Sequence, residues 1–202
     1  MGSEGCRYDP PVAERGTRRF SQAISEGDGI SVIVDVADAD GARSAEAQGA
    51  EGIVVRRALG GIREATELPI LWLAEGQPNE AADAGADACV VRAEDEHAAE
   101  LYRQALGLGL DCVIRVVDED ELEDALDRVD PEIFLLAADG ESDEWEHTFD
   151  LLSNVPAGKL AIAAVHAPSR EQVVELERAG VDAVIVGARD VAELVGDAPP
   201  QV

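Results

Sequence analysis

Lysine is almost missing from this chain. Of 16 basic residues in 202, one is a lysine, Lys159, and the other fifteen are arginines. Chemistry that needs an amine, as a nucleophile or as a cationic acid of tunable pKa, therefore has one candidate. Positive charge is scarce as a whole: 43 acidic residues leave a formal net charge of −27. Such a field repels phosphate backbones and anionic headgroups, which sets nucleic acid and membrane surfaces aside as partners. Cysteine is sparse as well, and Cys6, Cys89 and Cys112 make no even framework, no C-x-x-C and no Cys/His cluster at ligand spacing. Neither a disulfide scaffold nor a metal site is expected. Long apolar runs are absent, none approaching the ~18 residues that span a bilayer. The opening MGSEGCRYDPP carries no apolar core of a signal peptide, and Cys6 stands where a myristoylation start needs Ser or Thr. The expected location is cytoplasmic.

What is present is a packed-core composition, 46% hydrophobic, with length for one domain. From residue 31 onward, short β-rich runs alternate with Ala/Glu-rich helical stretches. Eight runs are visible: SVIVDV (31–36), GIVVR (52–56), PILWLA (69–74), ACVVR (88–92), DCVIRV (111–116), EIFLLA (132–137), LAIAAV (160–165) and AVIVG (183–187). Eight regular units without a long insertion predict an α/β fold, a compact (β/α)8 TIM barrel over residues 31–202. The first 30 residues form an N-terminal extension whose short helix, Arg18 to Ser25, is placed to cover the barrel's bottom. Three joints repeat one local chemistry: Gly49-Ala50-Glu51, Gly85-Ala86-Asp87 and Gly180-Val181-Asp182 each precede a β-branched run. In each, glycine is suited to a left-handed helix cap. The helix after the second strand is expected to be the shortest or degenerate, because Gly60-Gly61 opens it and Pro69 soon follows.

The stretches RRFSQAISEGDGISVIVDV, LGG after the second strand, ELPILWLAE, AADAGADACVV, LDCVIRVVDEDELEDAL and AGVDAVIVGARD together resemble indole-3-glycerol-phosphate synthase over residues 18 to 195. The resemblance implies a (β/α)8 barrel of tryptophan biosynthesis, a lyase that closes and aromatises a carboxyphenylamino sugar phosphate without metal or organic cofactor. It also implies a lysine acid at the end of strand 3, a second lysine on strand 1, and glutamates on strands 1, 5 and 7. This chain departs at nearly every one. Strand 1 ends Asp35-Val36-Ala37, keeping a carboxylate as the sole remnant of the family's proton-transfer set but losing the lysine to Ala37. Strand 3 carries Leu73 for the general acid, strand 5 carries Arg115 for a glutamate, and strand 7 reads Ala163-Ala164-Val165-His166.

Alternation aims Asp35 and Arg115 into the barrel. Two readings stand: Arg115 holds the carboxylate or phosphate of a ligand, or Asp35 and Arg115 pair and fill the barrel. Arg92, with Arg56 and Arg57, forms a ring of guanidiniums at the mouth that either attracts anions or neutralises Asp38, Asp40, Glu75, Glu94 and Asp118. His166 follows strand 7 at the same face. His97 and His147 are expected to be exposed on helices, and Trp72, out of phase with Leu71 and Leu73, to face the helical shell. Gly187, with Arg189 close behind it, opens a turn whose free N–H groups suit phosphate, and this end of the mouth is the preferred anion site. The candidate binding residues are thus Gly187, Arg189, Arg115, Arg92 and His166, for a small phosphorylated or carboxylate ligand. The expected function is a binding or scaffold barrel of this family, a pseudoenzyme; the alternative is an active synthase, or another sugar-phosphate enzyme, using altered residues.

Overall fold

A computed structural model describes residues 19–26, 29–74, 77–138, 144–166, 168–188 and 191–194. Eight strands, β1 (Ser31–Asp35), β2 (Gly52–Val55), β3 (Ile70–Trp72), β4 (Ala88–Arg92), β5 (Asp111–Val116), β6 (Ile133–Leu136), β7 (Leu160–Ala164) and β8 (Ala183–Gly187), alternate with helices. Every strand runs parallel to its neighbours, and β8 pairs back onto β1 to close the ring. The expected (β/α)8 barrel is therefore the observed one. Closure removes sheet edges, so all strands are covered on both faces, and runs such as Gly52–Val55 are buried at every position.

Two apolar layers divide along the period of two. Ile33, Val54, Leu71, Ala88, Val113, Leu135, Ile162 and Ile185 fill the barrel, whereas Val34, Val55, Trp72, Cys89, Cys112, Ile114 and Val186 face the helices. Trp72 lies in the outer layer, as its phase requires. Its indole Nε1 is buried without a hydrogen-bond partner among the described residues.

The bottom of the barrel is closed by α1 (Arg19–Ser25), whose Phe20 and Ile24 join the inner cluster. Asp111, at the foot of β5, accepts a hydrogen bond from Ser21 N at 2.8 Å and fixes the plug's first turn. The repeated joints are built as expected, with Gly49, Gly85 and Gly180 at φ of 88°, 78° and 102°. Their acidic residues have a second use. Asp87 accepts from Ile70 N at 2.9 Å and Asp182 from Ala161 N at 2.7 Å, so each carboxylate ties its own strand to the start of the preceding one. Glu51 does the same to Val32 N at 3.3 Å. After β2 the helix α3 (Ile62–Ala65) is a single four-residue turn, behind Gly61 at φ 74°.

Candidate functional site at the mouth of the barrel

At the C-terminal ends of the strands a cavity of about 520 Å³ opens over β3 to β7. Its polar lining includes Arg56, Arg92, Arg115, Glu94 and Asp95; its apolar floor includes Leu73, Val90, Leu135 and Ala164. The strands explain the composition. Ala88-Val90-Arg92 and Val113-Arg115 point inward in phase, so the guanidiniums stand above residues of the inner core. Arg92 and Arg115 occupy the same rung of β4 and β5, being Cα partners across the pair.

Asp35 does not make the expected pair with Arg115. Its Oδ2 accepts from Arg56 Nε at 2.7 Å, because Arg56 follows the adjacent strand β2 whereas Arg115 lies on β5. Of the expected neutralising partners, Glu94 is met and Asp40 is used elsewhere. Arg92 pairs with Glu94 at 3.1 Å, and Asp40 pairs with Arg43 on its own helix. Asp38 and Asp118 instead cap α2 (Ala39–Ala47) and α6 (Glu119–Arg128), accepting from Gly41 N and Glu121 N at 2.8 Å. An extended acidic residue ahead of a helix meets its orphan N–H groups first. Glu75 and Arg189 lie outside the described residues.

Gly187 is exposed at the opposite side of the mouth and does not line the cavity. It is the register partner of Asp35, so a carboxylate rises beside it on the next strand. The turn leads to α9 (Val191–Leu194), a helix of only four residues. His166 is highly exposed, and its Nδ1 lies 2.7 Å from Glu144 Oε1 while its backbone N–H donates to Glu144 Oε2 at 3.0 Å. Glu144 begins α7 (Glu144–Leu152), and sequence alone offers no signal for this contact across 22 residues. His147, one turn later, is half-buried rather than exposed: its Nε2–H donates to Val117 O at 2.6 Å, which sets its tautomer. His97 is exposed ahead of α5 (Ala98–Gly107).

Just past the end of β5, Glu121 of α6 accepts from Val117 N at 2.9 Å. Burial pushes its carboxyl above the ordinary glutamate value, against the lowering effects of that hydrogen bond and of Arg115. Among the described residues no three His, Cys, Asp or Glu side chains gather as a metal site, and no helix is long and apolar enough to cross a membrane.

Known proteins give this geometry a family. The chain is 30% identical over 144 residues to an indole-3-glycerol phosphate synthase of Geobacillus sp. (strain WCH70), covering 64% of this chain and 54% of that protein. It is 33% identical over 134 residues to one from Variovorax paradoxus (strain S110), covering 62% and 50%. The chain thus spans about half the length of the curated relatives it matches. Among solved structures, an N-acetylmannosamine-6-phosphate 2-epimerase from Clostridium perfringens superposes with a TM-score of 0.67 at 15% identity, over 81% of this chain and 87% of that one. A mutant tryptophan synthase alpha-subunit from Pyrococcus furiosus gives 0.64 at 16%, over 82% and 98%. These two share the fold. The family model for indole-3-glycerol phosphate synthase matches residues 28–192, from before β1 into α9, and the chain belongs to that family.

Proposed function

We propose that this chain is a barrel of the family that has lost the ring-closing reaction and holds a small anionic ligand at its mouth, as a binding or scaffold protein. One observation carries the reading. Leu73, Ala164 and Arg115, standing where the resemblance implies a lysine and two glutamates, all line the same cavity. The three positions from which the resemblance implies proton transfer thus carry two hydrocarbon side chains and a guanidinium that cannot exchange its proton near neutral pH. Lys159 offers no replacement. It precedes β7, at the bottom, where its Nζ binds Asp130 Oδ1 at 2.6 Å.

The ring-closing chemistry needs a proton delivered and another removed. Positioned acids and bases contribute ~10²–10⁴-fold each, so losing several returns the rate close to background. Incubating the purified chain with the carboxyphenylamino sugar phosphate and following indole fluorescence is expected to show no turnover, and Leu73→Lys alone is expected to restore none, because Ala37 and Ala164 still lack their partners. Turnover by the unmodified chain would refute the reading. The alternative, an enzyme working with altered residues, draws support from His166: with Nδ1 held by Glu144, its Nε2 is presented to solvent two residues beyond cavity-lining Ala164. Under that alternative His166→Ala removes a measurable activity; under the proposed function there is none to remove.

A further inference from the structure

We infer that Cys89 and Cys112 form a dithiol redox site, closed by a peroxide into a disulfide that ties β4 to β5 and reopened by a thiol reductant. The site lies between the barrel and its helical shell, and it does not depend on what the mouth binds.

Register places the pair. Cys89 and Cys112 are Cα partners on adjacent strands, and their shared phase turns both into the outer layer. Hydrogen-bonded strands lie ~4.8 Å apart, inside the ~4.4–6.8 Å that separates the Cα atoms of a disulfide. Joining the sulfurs needs no change of register, and the two thiols already hydrogen-bond to each other. Both are sealed, at 2% and 4% exposure. A thiol buried alone is inert, because burial disfavours the thiolate that reacts. A second sulfur alongside changes the outcome, since it captures the first once that is oxidised.

Protonation assigns the roles. The hydrogen bond with Cys89, together with burial, holds the Cys112 thiol protonated far above its usual range. Cys112 is thus the donor of the pair, and Cys89, once it has given up its proton, is the sulfur that attacks. Its thiolate displaces hydroxide from hydrogen peroxide, breaking the O–O bond and leaving a sulfenic acid. Cys112 then attacks that sulfur, forming the S–S bond and expelling a second hydroxide. The two thiol protons turn both hydroxides into water, so the sulfurs lose two electrons and the peroxide gains two. A dithiol reductant reverses the link by thiol–disulfide exchange.

The cover suits a small oxidant. Helix α5 packs over both strands, and its buried side chains are Ala98, Leu101 and Ala105. Two of the three are single methyl groups, so little apolar area holds this helix down. Peroxide is barely larger than water, and a small separation of α5 from the sheet admits it. Three residues farther along both strands stand Arg92 and Arg115, so a link here braces one wall of the cavity. Trp72 supplies a reporter. It is the register partner of Cys89 in the same layer, and a disulfide quenches a neighbouring indole.

The test exposes the folded full chain to hydrogen peroxide in a Cys6→Ser, Trp145→Phe background, which leaves this pair as the only thiols and Trp72 as the only indole. Intact mass is expected to fall by two hydrogens, peptide mapping to show the Cys89 peptide linked to that of Cys112, and Trp72 emission to drop. Dithiothreitol is expected to reverse all three. Cys112→Ala is expected to retain a sulfenic acid that dimedone traps, and Cys89→Ala to react more slowly, with melting curves establishing that each is folded. Addition of oxygen without a link, links between chains, or a link formed only in unfolding denaturant would overturn the inference. So would two free thiols after the same solution has oxidised free cysteine to completion. Equal trapping in the two alanine variants would overturn the assignment of roles.

Discussion

Gly180 and Asp182 show how much of this barrel is decided two residues at a time. Gly180 sits at φ 102° with open space around the position of a Cβ, so the objection to a side chain there is conformational rather than steric crowding. Gly180→Ala is expected to cost about 1–2 kcal/mol in denaturant unfolding. Asp182 has the opposite problem: burial raises its carboxyl above the ordinary 3.8, opposed by its bond from Ala161 N. The folded state therefore holds the proton more tightly than the unfolded chain, so its contribution to stability is fully present below about pH 3.8 and lost as the pH rises through the raised value. Asp182→Asn keeps an acceptor for Ala161 N and removes that slope. The wild type is expected to lose stability relative to Asn across this window, measured by unfolding at stepped pH. Asp182→Ala leaves the N–H unpaired and is expected to cost about 1–3 kcal/mol. The glycine was legible in sequence, since its spacing to a β-branched run recurs three times. The span from Asp182 to Ala161 was not, because it crosses 21 residues and depends on strand stagger.

Among the elements, α1 ties a short segment to the inner core. Seven residues close one end of the barrel, and Phe20 is wholly buried there against the inner core. Phe20→Ala is expected to lower stability by about 3–5 kcal/mol, read as a shifted denaturant midpoint with an unchanged slope. A surface helix would lose far less from the same change. The strands were the most legible elements, because buried parallel strands read as nearly continuous Val/Ile/Leu runs and turns of glycine and acid separate them. Pairings at the mouth were the least legible. Alternation aimed Asp35 and Arg115 inward, yet it carries no information about which neighbour reaches first, and Arg56 on the adjacent strand does. Similarly, Asp38 and Asp118 read as surface charges for nearby arginines but are used as helix caps. His147 read as an exposed helical residue, and only the return of α7 over the end of β5 brings Val117 O to its ring.

For the whole molecule the governing quantity is the charge of −27, which the compact state concentrates and the unfolded chain spreads out. Added salt screens this repulsion within roughly 8–10 Å at physiological ionic strength and less at higher concentration. Thermal stability is therefore expected to rise from low to molar sodium chloride, by about 2–4 °C for each kcal/mol gained. A melting temperature indifferent to salt would show that local pairs such as Arg63 with Asp87, at 2.8 Å, already compensate the field. Cys89 and Cys112 add a clock to the same molecule. They are register partners on β4 and β5, each nearly sealed in the outer layer, and hydrogen bonding between the two together with burial drives the Cys112 thiol far above its usual range. A thiol reagent can reach them only after the cover leaves or the ring parts. In a Cys6→Ser background, their alkylation rate counts those openings: matching rates with a shared, steep denaturant dependence report that the whole ring opens at once, whereas fast modification insensitive to denaturant reports that α5 lifts while the barrel stays closed.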